Sequence, residues 1–125
     1  MNKEQESKRF YWIKLKTDFY SDENGAVAFL LGQPNGANYI VIYQMLCLMS
    51  ANKNGQLAYN VGEILVPYDV DKITRECKYF PRDTVVTALT LYQKLGLVYQ
   101  SQDGALVVSN IDGMVGSETA GAQKK

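Results

Sequence analysis

The stretch from Asn38 to Ala51 constrains the fold more than any other part of this 125-residue chain. From Tyr39 to Met49 every residue except Gln44 is apolar. On a helix of 3.6 residues per turn, such a run puts apolar side chains round most of the circumference. A helix of that kind must be covered on several sides, so it is the centre of a core or part of a dimer interface. At 11 residues the run is far short of the ~20 that a membrane span needs.

The rest of the chain has the means to supply that cover. It is 46% hydrophobic and carries nine Tyr, four Phe and one Trp. That suits one domain of the usual ~100–150 residues. Residues 1–8 are polar and read as a disordered N-terminus. Residues 116–125, GSETAGAQKK, read as a flexible tail, which leaves 9–115 as the folded unit. Within it, Tyr11, Ile13 and Leu15 alternate with Trp12, Lys14 and Lys16, the pattern of a short strand. Ser21 is placed to cap a helix over about 22–31 that stops at Gly32. Asn54-Gly55 turns the chain after the central helix, and Gln56 to Tyr59 is a candidate strand.

Two helices follow in close succession. Asp69 caps one over about 70–78, with Ile73 and Cys77 on its inner face. Pro81 suits the first turn of the next, which runs to about Lys94. Its apolar stripe is Val85, Val86, Ala88, Leu89, Tyr92 and Leu95. Gly96 stops it. Leu97 to Gln100 and Ala105 to Val108 then flank Asp103-Gly104, a strong hairpin signal. The expected fold is α+β, mainly α: a winged helix-turn-helix with an additional N-terminal strand and helices.

Function is bounded first by what is missing. The chain has no His, so it has no Ser-His-Asp triad, Cys-His pair or imidazole switch. Cys47 and Cys77 lie 30 apart without a CxxC and read as reduced, buried thiols. Asp69-x-Asp71 reads as a helix cap plus a first-turn acid. Gly113 and Gly116 make no phosphate loop. No enzyme activity, cofactor or metal is expected. No apolar segment follows the polar N-terminus as in a secretory signal, so a soluble cytoplasmic chain is expected, with no membrane partner.

What remains is binding. Lys+Arg and Asp+Glu each number 13, a net charge of zero, which at first argues against nucleic acid. The charge is uneven, however. Between residues 72 and 94, five bases face two acids, Glu76 and Asp83, for a local sum of +3. In a winged helix the second helix of the pair meets base edges in the major groove, and the first crosses the backbone. Lys72, Arg75 and Lys78 are therefore expected at phosphates. Arg82, Thr84, Thr87 and Thr90 are expected to face the groove, and Lys94 the backbone at the far end. Arg9, Lys14 and Lys16 form a second basic cluster. The hairpin tip has no Lys or Arg, so the wing either contacts DNA through Gln100 and Gln102 or does not touch it.

Four segments also carry a resemblance. They are Arg9 to Lys16 (RFYWIKLK) with Asp18-Phe19-Tyr20; Tyr39 to Tyr43 leading into Leu46-Cys47-Leu48; Asn54 to Leu57; and Gly116-Ser117-Glu118-Thr119. Together they resemble the N-terminal domain of phage replisome organisers, the replication initiators of phages of Gram-positive bacteria, and are similar to N-terminal domains of some plasmid initiators. The resemblance implies a protein that binds repeated sites in the double-stranded DNA of the phage origin. It also implies recruitment of host helicase-loading machinery through a separate C-terminal region. In that family a basic segment follows Gly-Ser-Glu-Thr, whereas here the sequence stops at Lys124-Lys125, so it is expected to be part of a longer protein. Repeated half-sites suit a homodimer. The apolar central helix and the aromatics Phe10, Tyr11, Trp12, Phe19 and Tyr20 are the candidate dimer face. The alternative function is accordingly a protein-interaction and dimerisation module of the phage replisome.

Overall fold

The computed structural model describes residues 9–119; the expected disordered segment 1–8 and the last part of the expected tail, 120–125, lie outside the described residues. The fold is α+β, with four α-helices and two antiparallel sheets among the described residues. In chain order the elements are β1 (Arg9–Ile13), α1 (Gly25–Leu31), α2 (Gly36–Ser50), β2 (Gln56–Val61), β3 (Ile64–Pro67), α3 (Val70–Glu76), α4 (Arg82–Lys94), β4 (Val98–Gln100), β5 (Leu106–Val108) and β6 (Val115–Thr119).

The apolar helix α2 is the centre. Tyr39, Ile40, Ile42, Tyr43, Leu46 and Cys47 are buried in one cluster with residues of α1, α3, α4 and the sheet. Helix α1 crosses it closely at Gly36, where a Cβ would overlap the Leu30 and Leu31 backbone. The cover is incomplete: Val41 and Leu48, seven residues apart on one side of α2, stay exposed.

Helix α1 starts later than expected. Its cap is Asn24, whose side-chain oxygen accepts from the Val27 amide at 3.4 Å and whose amide donates to the Phe19 carbonyl at 3.0 Å. Ser21 is used up in the turn before it, its amide donating to the Asp18 carbonyl. Asp69 caps α3 as expected, accepting from the Lys72 amide at 2.7 Å. In α4 the buried stripe is Val85, Ala88, Leu89 and Tyr92. Val86 is exposed, because it lies one residue, about 100°, round the helix from Val85.

The larger sheet runs β3-β2-β5-β4. In the β4–β5 hairpin only Gly104 takes a positive φ, and a loop closed by the Ser101 amide on the Ala105 carbonyl replaces a tight Asp-Gly turn. The register Leu57↔Leu106 and Gln100↔Leu106 puts the rest of β2 beyond the last rung of that hairpin. There it pairs with β3 alone, as an arm on the side of the hairpin tip.

The smaller sheet corrects the expected tail. Residues 116–119 belong to β6, which pairs along β1 from Ile13↔Val115 to Arg9↔Thr119. The pairing depends on close contact: Trp12 lies across Gly116, where any Cβ would overlap the indole. Arg9 adds a hydrogen bond to the Ser117 hydroxyl at 3.0 Å.

Candidate nucleic-acid interface

Helices α3 and α4 meet across the turn at Cys77–Pro81, with Ile73, Cys77 and Val85 buried between them and the core. Their outward sides carry Lys72, Arg75 and Lys78 on the first, and Arg82, Thr87, Thr90 and Lys94 on the second. Arg75, Lys78, Arg82, Thr87, Thr90 and Lys94 are all exposed. One pair of helices thus brings most of the expected contacts together.

The charge on that face is smaller than the local sum suggests. Asp69 and Asp71, just outside the window counted, belong to the same unit, so residues 69–94 hold five bases against four acids. Two of the bases are engaged. Lys72 bridges to Glu76 at 3.0 Å, and that hydrogen bond holds the Glu76 carboxyl below the usual carboxylate range. Arg82 is paired with Asp71 across the interhelical turn. Both pairs are exposed and exchange readily with solvent and salt. Among the described residues Arg75, Lys78 and Lys94 have no ion-pair partner.

The groove-facing candidates divide in the same way. Thr84 is half-buried. Thr90 donates its hydroxyl to the Val86 carbonyl at 3.2 Å. Thr87 is exposed, and so is Gln93, but six residues further on Gln93 lies about 120° round the helix and lines a cleft with Asp69, Gln100 and Gly104. Sequence reasoning passed over Gln93, whose place on the flank of α4 toward the hairpin becomes visible only in the fold.

The secondary candidates do not join this face. Arg9 is held by Ser117 on the β1–β6 ribbon. Lys14 and Lys16 line a cleft with Asp18, Tyr43, Leu97 and Met114, at the base of the β4–β5 hairpin. Gln100 donates to the Gly104 carbonyl at 3.2 Å and serves to close the loop. Gln102, exposed at the tip, is at the opposite end of the hairpin from Lys16.

Both cysteines are free and buried, as the sequence suggested. No helix among the described residues is long and apolar enough to cross a membrane.

The segments of resemblance gain a physical meaning here. Trp12-Ile13 and Gly116-Ser117-Glu118-Thr119, at opposite ends of the sequence, are the two strands of one ribbon. A family model described as the N-terminal phage replisome organiser matches residues 12–125. The chain belongs to that family. Its place in phage replication follows from that membership. Neither the curated proteins nor the solved structures contain a match to this replisome organiser domain.

Proposed function

We propose that the chain is the duplex-DNA-binding domain of a phage replication initiator, acting at repeated sites of the phage origin. We read α2 to β5 as a winged helix-turn-helix. In support, β2 precedes the helix pair and joins the following hairpin in the order β2-β5-β4, so that hairpin stands beside α4 as a wing does.

The observation that carries the reading is the outward side of α3 and α4. It sets three unpaired cations, Arg75, Lys78 and Lys94, round a polar helix face with Thr87 exposed, and Gln93 lies on its flank toward the hairpin. The cations suit phosphates, and hydroxyl and amide groups suit base edges. This is a binding surface and not a reacting one. The test is a DNA-shift assay with origin and unrelated duplexes. Arg75→Ala combined with Lys94→Ala weakens binding to both. Gln93→Ala or Thr87→Ala changes the preference for origin sites by ~1–3 kcal/mol. Unchanged binding in the double variant removes the reading.

One observation favours homodimerisation beside it. An apolar groove of about 330 Å³ lies between β1 and α2, lined by Tyr11, Trp12, Ile13, Leu15, Gln44 and Leu48. No charged side chain lines it, so it repels neither a second copy of itself nor any apolar partner. Sedimentation of the chain and of Leu48→Lys tests this. The wild type associates with rising concentration and the variant stays monomeric.

A further inference from the structure

The β2–β3 arm has a use that the duplex-binding face does not explain. Along one side of the arm run Tyr59, Val61 and, on the paired strand, Ile64 and Val66, with Tyr68 following β3. Tyr59 is 46% exposed, Val61 57% and Ile64 67%, so exposure rises toward the tip. Tyr68 packs against the core and Val66 is half-buried, but the outer part, Tyr59, Val61 and Ile64, stays open although its residues are the kind that sheets bury.

At its base two rings stack. The Tyr59 and Tyr68 centroids are 6.0 Å apart at an interplanar angle of 29°, the only stacked ring pair among the described residues. Two ammonium groups attend Tyr68. Lys53 donates a hydrogen bond to the Tyr68 hydroxyl and lies 4.8 Å from the ring centroid, while Lys72 of α3 lies 5.5 Å from it. The nearby acids are engaged or distant: Asp69 caps α3, Glu76 holds Lys72, and Glu63 sits in the tip turn beyond the stack.

We propose that this arm binds single-stranded DNA, with an unstacked base on Tyr59 and its phosphate beside Lys53. The chemistry selects this occupant. A flat, half-open aromatic surface beside the Lys53 ammonium matches base and phosphate alternating along a strand, and stacking on it requires a base face that a duplex hides. An apolar protein segment would cover the rings but gain nothing from the Lys53 ammonium at their edge. Position agrees. The arm projects on the side of the hairpin tip, and Lys72 joins the stack to α3, so a strand leaving a duplex on α3 and α4 meets Tyr59 next. The inference rests on the proposed duplex-binding reading for that continuity, but not for the stack itself.

The test uses the 125-residue chain with two probes, oligo(dT) and a non-origin duplex, read by fluorescence anisotropy. Tyr59→Ala is expected to weaken oligo(dT) binding about tenfold and leave the duplex unchanged, since one stacked base is worth ~1–3 kcal/mol. Tyr59→Phe, which keeps the ring, retains binding. Arg75→Ala with Lys94→Ala does the reverse, weakening the duplex and sparing oligo(dT). Because Tyr59 is exposed, thermal melting of each variant confirms that the fold is intact. No binding of oligo(dT) by the wild type, or equal binding by Tyr59→Ala, overturns the proposal, and the arm is then left to a protein partner. If the duplex alone fails to bind while oligo(dT) binds through Tyr59, the duplex reading falls and the arm stands.

Discussion

Tyr92 ties the two central helices together. It is fully buried on α4, its ring meets Tyr43 edge-on at 5.7 Å, and its hydroxyl donates to the Tyr39 carbonyl of α2. Removing only that hydroxyl, in Tyr92→Phe, keeps the ring packing and is expected to lower stability by about 1 kcal/mol in urea unfolding. Removing the ring, in Tyr92→Ala, costs about 3–5 kcal/mol. Equal stability of Tyr92→Phe and the wild type shows that the hydrogen bond contributes nothing. The same burial raises the pKa of Tyr43, Tyr92 and Cys77, and pushes the Cys47 thiol up from 9.0 to about 11. Unfolded, these groups return to ordinary values, so the unfolded chain loses its protons first. Stability is therefore full below about pH 9 and falls as pH rises toward 11. For Cys47 alone the full loss is on the order of 3 kcal/mol. Urea unfolding from neutral pH to about pH 10 reads about half of it, and Cys47→Ala is expected to show a shallower alkaline decline.

The β1–β6 ribbon is only half visible in the sequence, which shows β1 as a strand but not β6, and its packing is specific. Trp12 is the only tryptophan and lies on Gly116, so its fluorescence reports the ribbon directly. Gly116→Ala is expected to push the indole off the strand, shift its emission and cost about 1–3 kcal/mol by overpacking. Unchanged emission means that the ring does not rest there. Elements carried by local signals were legible: the apolar run of α2, the Asp69 cap of α3, and Pro81 opening α4. Strands β3 and β6 were not. Gly-Ser-Glu-Thr has little intrinsic strand preference, and β6 forms because β1, more than 100 positions away in the chain, offers an edge and a flat ring. Strand β3 is four residues long, ends in Pro67, and exists only as the partner of β2. The candidate interface was half legible for a related reason. Spacing placed its bases on two helices, but that Asp71 neutralises Arg82 became apparent only once the turn between those helices closed.

At the scale of the whole molecule, a net charge of zero is compatible with DNA binding only if the charge is segregated, and the segregation here is modest. Five bases face four acids over α3 and α4, and three of the bases are free of ion pairs. On the proposed duplex reading, the affinity of one chain must then be limited and must depend on salt through few contacts. Each phosphate neutralised contributes about −0.9 to the slope of log K against log salt. Three free cations predict a slope near −3 for one chain on one half-site. If two copies meet through the groove between β1 and α2 and occupy paired sites, the slope doubles to about −5 to −6, and Leu48→Lys brings it back to the single-chain value. Arg75→Ala lowers the slope by about one unit per chain, whichever state binds. Titrations of origin duplex across a salt series therefore read the contact number and the stoichiometry together. A slope near zero would mean that α3 and α4 do not meet phosphate at all. A slope near −3 that Leu48→Lys leaves unchanged would mean that no second copy meets through the groove.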